Sequence, residues 1–401
     1  MKLIPFSVEH LRPRSPLPFG VRDAEGRLLL GAGAAIAGAE QLQQLCAQPL
    51  YADEDESNVW RRQLGAAVGA MLRRNAPLKS IAEARPQGGG DDDAAASAAE
   101  LSDAWDSLAE QLDRLLREAR PEAAFPARLR RLHERAVALG LRDADASLYH
   151  LIHAAGQGSE RYASRHALLV MLVCGQAAPA LGWPAAALRS LGCAALSMNV
   201  AMAALQDHLA DSDAPPTAAM REQIRRHAAQ GAQLLRDAGL DDALCCEAVR
   251  LHHEPDDART PLAELSEERR LARLLRRADI FTAKISRRRT RAPMSPVQAA
   301  REACLGADGV PDEIGGALLR ATGLYPPGSF VELANGERGI VVARGRRANL
   351  PRVASLVAPS GLALGEPALR DTVEARFAVR AAVAVAQVRV RPDHRRILAL
   401  R

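Results

Sequence analysis

The sequence predicts a mainly α protein, with a small β-rich module ahead of the helical region and a β-rich tail behind it. Apolar residues recur at helical spacing from Leu101 to about Gly323, with almost no strand signal. Residues 18–31, Pro-Phe-Gly-Val-Arg-Asp-Ala-Glu-Gly-Arg-Leu-Leu-Leu-Gly, read as a β-hairpin turning near Asp23 to Gly26. Phe330-Val-Glu-Leu-Ala-Asn-Gly-Glu-Arg-Gly-Ile-Val-Val reads as a second hairpin, with Asn335-Gly336 expected to supply the positive φ angles of a tight turn.

The remaining elements follow in order. A short helix around Ala39 to Ala47 completes the first module, which ends near Trp60. Residues 58–74 read as an amphipathic helix, with Leu64, Val68 and Leu72 at four-residue steps. Arg85-Pro-Gln-Gly-Gly-Gly-Asp-Asp-Asp-Ala-Ala-Ala-Ser then reads as a flexible linker. Helicity stops at Gly323-Leu-Tyr-Pro-Pro-Gly. After the second hairpin come a strand at Arg352 to Val357 and a late helix near Val373 to Ala386. The expected organisation is therefore 1–83 N-terminal module, 84–100 linker, 101–325 helical domain and 326–401 β-rich tail. No internal repeat is visible.

Composition narrows the functional classes. Hydrophobic residues make up 48% of the 401, but only 3% are aromatic, so Leu, Ala and Val must fill the core. The net charge of +5 is modest for this length and demands no nucleic-acid partner. Cys46, Cys174, Cys193, Cys245, Cys246 and Cys304 have no metal-binding spacing and read as reduced core residues of a cytoplasmic protein. Ala167 to Leu188 is uncharged and long enough to span a membrane. Gln176, Pro179, Gly182 and Pro184 interrupt it, so two buried helices with a turn at Leu181-Gly182-Trp183-Pro184 fit better.

The chemistry lies in the helical region. A metal site inside a helical bundle takes imidazoles and carboxylates from several helices. The candidates in order are His166, His227, His252, His253 and Asp279. His227 is followed one turn later by Gly231, which permits close helix packing. His252 and His253 end an apolar helix, so one can face the core and the other its flank. Singly, each histidine also reads as a hydrogen-bonded core residue, and Asp279 as an ion-pair partner for Arg276 or Arg277. The run Arg287-Arg-Arg-Thr-Arg291 reads as a solvated surface or as a phosphate clamp, with Lys284, Arg288 and Arg291 the nucleotide-binding candidates.

The collinear order of several motifs carries a resemblance. They are Tyr162-Ala-Ser-Arg-His166, Leu191-Gly-Cys-Ala-Ala-Leu, His227 with Gly231, and Leu251-His-His-Glu254. Ala278-Asp-Ile-Phe-Thr-Ala283 with Ser286 and Arg288 follows, then Gly323-Leu-Tyr-Pro-Pro-Gly328. From about Tyr162 to Gly328 the chain resembles the HD-GYP family, a bacterial branch of the HD phosphohydrolases that hydrolyses cyclic di-GMP at a bi- or trinuclear metal centre. The resemblance implies an HD-domain helical bundle and assigns His166, His227, His252, His253 and Asp279 as metal ligands.

Two departures weigh against catalysis. The family's namesake His-Asp-Ile-Gly-Lys-like run aligns with Met198-Asn199-Val200-Ala201-Met202. A thioether and an amide thus replace an imidazole and a carboxylate, removing a ligand and a negative charge. Losing even an outer-shell partner costs roughly 10–100-fold in affinity or activity. The family's Asp-Gly-x-Gly-Tyr-Pro loop is replaced by Pro255-Asp-Asp-Ala-Arg-Thr-Pro261, without either glycine or the tyrosine.

The sequence therefore reads as a degenerate HD-GYP-like bacterial signalling protein that lacks phosphodiesterase activity and binds a nucleotide or a protein. The alternative is an active phosphodiesterase on a reduced metal site, and the third reading is a purely structural scaffold. No cofactor is expected, but an active enzyme would need divalent Fe, Mn or Zn. The expected partners are cyclic di-GMP or a signalling protein, with a homodimer compatible, and no nucleic acid or membrane span.

Overall fold

The computed structural model describes residues 3–6, 20–31, 36, 38–46, 49–53, 91–118, 124–255, 260–305, 310–388 and 390–401. The expected helix at 58–74 and residues 84–90 of the expected linker lie outside the described residues. The chain divides into two units, Met1–Asp93 and Ala94–Arg401.

The first unit is a four-stranded antiparallel sheet of β1 (Leu3–Phe6), β2 (Val21–Arg22), β3 (Leu28–Leu30) and β4 (Leu50–Asp53), ordered β1-β4-β2-β3. Helix α1 (Ala39–Cys46) precedes β4. The first hairpin turns where expected. Asp23 accepts from the Arg27 amide at 2.8 Å, and Gly26 takes a φ of 83° that favours glycine. Val21, Ile36, Leu45 and Leu50 form a small core.

The second unit takes in α2 (Asp91–Arg117) from Ala94 onward, then α3 (Phe125–Arg142) and α4 (Ala144–Gln157). Helix α2 enters the segment read as linker through 100, and that reading is corrected from Asp91 onward. An acidic start followed by Ala94-Ala-Ala has high helix propensity, and the buried Trp105 farther along donates to Ser147 at 3.1 Å, tying α2 to α4.

Helices α5 (Tyr162–Ala177) and α6 (Ala185–Ser197) are separated by a 3₁₀ turn at Ala178–Leu181 and by Gly182 at φ 70°. The uncharged stretch 167–188 is thus two core helices joined by a turn. A 3₁₀ turn, Val200–Met202, leads into α7 (Ala203–Asp211), followed by α8 (Ala218–Asp237), α9 (Ala243–Leu251), α10 (Glu267–Ile285), α11 (Pro296–Cys304) and α12 (Glu313–Thr322). Among the described residues, Ala185–Asp211 is long and apolar enough to cross a membrane by length and composition, but it is broken at Met198–Met202 and 67% of its apolar window is buried within the fold.

The tail belongs to this same unit. Strands β5 (Phe330–Leu333), β6 (Arg338–Ala343), β7 (Arg352–Val357), β8 (Ala363–Asp371) and β9 (Val379–Val383) form an antiparallel sheet ordered β8-β7-β6-β5-β9. One face gives Phe330, Ile340, Val342, Ala354 and Leu356 to the helical core. The other buries Val331, Leu333, Val341 and Val353 beneath Phe377 and Val379. Helix α13 (His394–Leu398) closes the chain by burying Ile397 and Leu398.

Three expectations for the tail need correction. The turn at Asn335-Gly336 has one positive φ, at Gly336 (86°), and Leu333 pairs with Glu337 across a three-residue loop. No α-helix covers 373–386, where a short 3₁₀ turn at Ala375–Phe377 leads into β9, which completes its backbone hydrogen bonds on the open edge of β5. Strand β8 was not foreseen, since Gly365 and Pro367 disguise it. Proline is tolerated there because β8 is an edge strand.

Candidate metal centre

Four helices bring the candidates together. Thr217 caps α8 by accepting from the Met220 amide, and α8 carries His227. Asp242 caps α9 by accepting from the Cys245 amide, and α9 ends so that His252 is its C-cap residue. Its orphan carbonyls make that terminus favourable for a cation. Helix α10 carries Asp279, and α5 carries His166. Gly231 does provide close packing. A Cβ there would lie 3.4 Å from Val200 and 3.6 Å from both the Met198 carbonyl and Val249.

His227, His252 and His253 each offer a ligand atom within 4.8 Å of the others. The first two are fully buried, and His253 reaches the surface. Nδ1 of His227 donates to the Ile224 carbonyl, and Nδ1 of His252 to the Val249 carbonyl, both at 2.6 Å. Each ring therefore holds its proton on Nδ1 and presents a bare Nε2. The two Nε2 atoms lie 3.4 Å apart, lone pair facing lone pair unless a cation or proton lies between.

Burial drives the His252 pKa down to about 3, with help from His253. His227 and His253 are also lowered, each chiefly by desolvation. Neutral imidazoles are the form that binds metal. Two Nε2 atoms about 2.0–2.1 Å from a tetrahedral ion would stand roughly 3.4 Å apart. The imidazole group therefore fits one borderline transition ion such as Zn²⁺, and His227, His252 and His253 would hold it.

His166 and Asp279 pair with each other. His166 is buried, and its Nε2 lies 2.7 Å from Asp279 Oδ1. Burial would raise the Asp279 pKa, but the His166 hydrogen bond and the neighbouring imidazoles bring it down to about 2. The Asp279 charge also acts on His227, His252 and His253. Nδ1 of His166 is buried without a hydrogen-bond partner among the described residues. The ion pair read for Asp279 with Arg276 or Arg277 does not form. Arg277 bonds Asp312, and Arg276 bonds the Glu254 carbonyl.

Met198 is fully buried and Asn199 nearly so. Leu191 and Ala195 are buried on the preceding helix, and Met198 continues their apolar stripe. The nucleotide candidates are engaged. Lys284 pairs with Glu302, and Arg291 donates to the Ala283 carbonyl. Arg288 donates to the Tyr162 hydroxyl at 3.1 Å and lies over that ring. Tyr162 in turn stacks on His166, ring centroids 5.6 Å apart. Sequence reasoning missed this support, although the four-residue spacing of Tyr162 and His166 on a helix was visible.

Imidazoles from two helices thus gather in one group, and a carboxylate from a third pairs with His166 on a fourth. No family model matches the chain. It is 27% identical over 198 residues to the cyclic di-GMP phosphodiesterase PA4108 of Pseudomonas aeruginosa, a match covering 49% of this chain and 48% of that protein. The chain thus spans about half the length of the curated relative it matches. A solved structure of Bd1817, an HDG"Y"P protein from Bdellovibrio bacteriovorus, is 17% identical, with a TM-score of 0.43 over 79% of this chain and 98% of that one. The chain is related to the HD-GYP family.

Proposed function

We propose that this chain is a cyclic di-GMP signalling protein of HD-GYP type that has lost phosphodiesterase activity and acts by binding a nucleotide or a protein partner. The observation that carries the reading is the buried Met198-Asn199 pair at the place of the family's central ligands. A thioether packed in the core and an uncharged amide give a second ion neither a bridging carboxylate nor an imidazole.

The chain's own residues still build a polar site. Ile224 and Val249 carbonyls fix the tautomers of His227 and His252, and Asp279 orients His166. Arg288 and Tyr162 hold the outer face of His166. A cytoplasmic setting belongs to the same proposal and suits five free, buried cysteines.

The imidazole group favours a second reading, an active phosphodiesterase with one ion held by His227, His252 and His253. A bound divalent ion would lower the pKa of water and supply hydroxide near neutral pH. Incubation of metal-supplemented protein with cyclic di-GMP, alongside calorimetry, separates the readings. Binding without turnover supports the signalling proposal, turnover that disappears in His252→Ala replaces it with the second reading, and neither binding nor turnover rejects both the nucleotide-binding form of the proposal and the second reading.

A further inference from the structure

A small basic pocket opens beside the imidazole cluster. Its cavity is about 130 Å³, lined by Arg269, Arg273 and Arg276 on α10, with Glu254 and Thr260 opposite. A site that encloses a whole drug-sized ligand runs to roughly 300–1,000 Å³. This pocket suits a single polar group instead. The three arginines fall at i, i+4 and i+7, one face of the helix. Among the described residues that line the pocket, Glu254 is the acidic one.

Arg276 is the residue best placed to use the pocket. It stands one turn before Asp279, and its charge acts on His253. Its hydrogen-bond partner among the described residues is the neutral carbonyl of Glu254. A guanidinium has five N–H donors in a fork that matches phosphate. Donors thus remain for a ligand. Arg273 has a different task, since it donates to the Thr260 carbonyl at 2.8 Å and braces the wall. Arg269 is exposed at the mouth.

We propose that this pocket is a phosphate subsite in which Arg276, assisted by Arg269, binds one phosphate of an anionic ligand lying over His253. The subsite supplies positive charge at the edge of a centre that Met198 and Asn199 have deprived of ligands. The inference rests on the nucleotide-binding reading only for what the rest of the ligand is.

The test titrates the full chain with pyrophosphate and, separately, with cyclic di-GMP. Wild type is compared with Arg276→Ala, Arg276→Lys and Arg269→Ala, and thermal melts confirm folding. A hydrogen bond to a charged group contributes about 1.5–3 kcal/mol, roughly 10–100-fold in affinity. Arg276→Ala is expected to weaken pyrophosphate binding by at least about tenfold, Arg276→Lys by less, and Arg269→Ala modestly. Pyrophosphate binding that depends on Arg276, with no cyclic di-GMP binding to wild type, keeps the subsite and rejects the nucleotide reading. Cyclic di-GMP binding to Arg276→Ala within twofold of wild type overturns the subsite and leaves that reading standing. No pyrophosphate binding by the wild type also overturns it.

Discussion

Nε2 of His227 faces Nε2 of His252 at 3.4 Å, and each ring is locked by an Nδ1 donor bond to a backbone carbonyl. Neither atom can donate to the other, so the arrangement is repulsive until a cation enters. His252→Ala should therefore abolish tight zinc binding in a chelator competition, as should His227→Ala. His253→Ala should weaken it less, because His253 stands at the exposed rim. Equal zinc affinity in wild type and His252→Ala would rule out the imidazole site.

The Met198-Asn199 substitution should be partly reversible. Met198→His with Asn199→Asp places an imidazole and a carboxylate at the positions that align with the family's ligand pair. Bound metal should rise from one ion per chain towards two, read by elemental analysis after dialysis. The new groups enter a buried region, where an unsatisfied polar group costs about 1–3 kcal/mol. The melting temperature should fall without metal and recover with it.

Gly315 in α12 tests the packing. A Cβ there would lie 1.8 Å from the Cys304 carbonyl oxygen, which is backbone and cannot swing aside. Gly315→Ala should destabilise by at least the roughly 1–3 kcal/mol of core overpacking, measured by denaturant unfolding. Gly175→Ala, with nothing within 4 Å of its Cβ, is the control and should be close to neutral or slightly stabilising.

Acid should weaken the fold through histidines outside the metal site. His153 is pushed down to about 4, mainly by burial and then by His394 and His150. His394 is lowered too, mainly by burial, and accepts the Tyr149 hydroxyl at 2.7 Å. A depressed native pKa means that the unfolded chain binds a proton the native state excludes. Stability present above about pH 6.5 is therefore lost as pH falls towards 4, by about 3 kcal/mol for His153. His252 adds to the same slope, so the readout is the comparison. His153→Gln should flatten the decline in unfolding free energy between pH 6.5 and 4, and an unchanged slope would reject the assignment.

Much of the helical region was legible because Leu, Val and Ala recur at helical spacing over two hundred residues. The order of His166, His227, His252-His253 and Asp279 picked out side chains of which the fold gathers the His227, His252 and His253 ligand atoms within 4.8 Å and pairs His166 with Asp279. Partnering was not legible. Which side chain meets Asp279 depends on how α5 lies against α10, and the answer is His166 rather than an arginine three residues away. The tail misled at β8 and β9 because strand identity there comes from a neighbour's free backbone edge. Arg276 drew notice only as an ion-pair partner, since no local pattern marks a pocket built from separate segments.

We propose that Met198 and Asn199, standing where an imidazole and a carboxylate would hold a second ion, leave this chain a site for one ion. Elemental analysis of protein reconstituted separately with iron, manganese and zinc tests this most directly. No more than one tightly held ion per chain is expected, zinc preferred, lost in His252→Ala. Two tightly held ions per wild-type chain would contradict it.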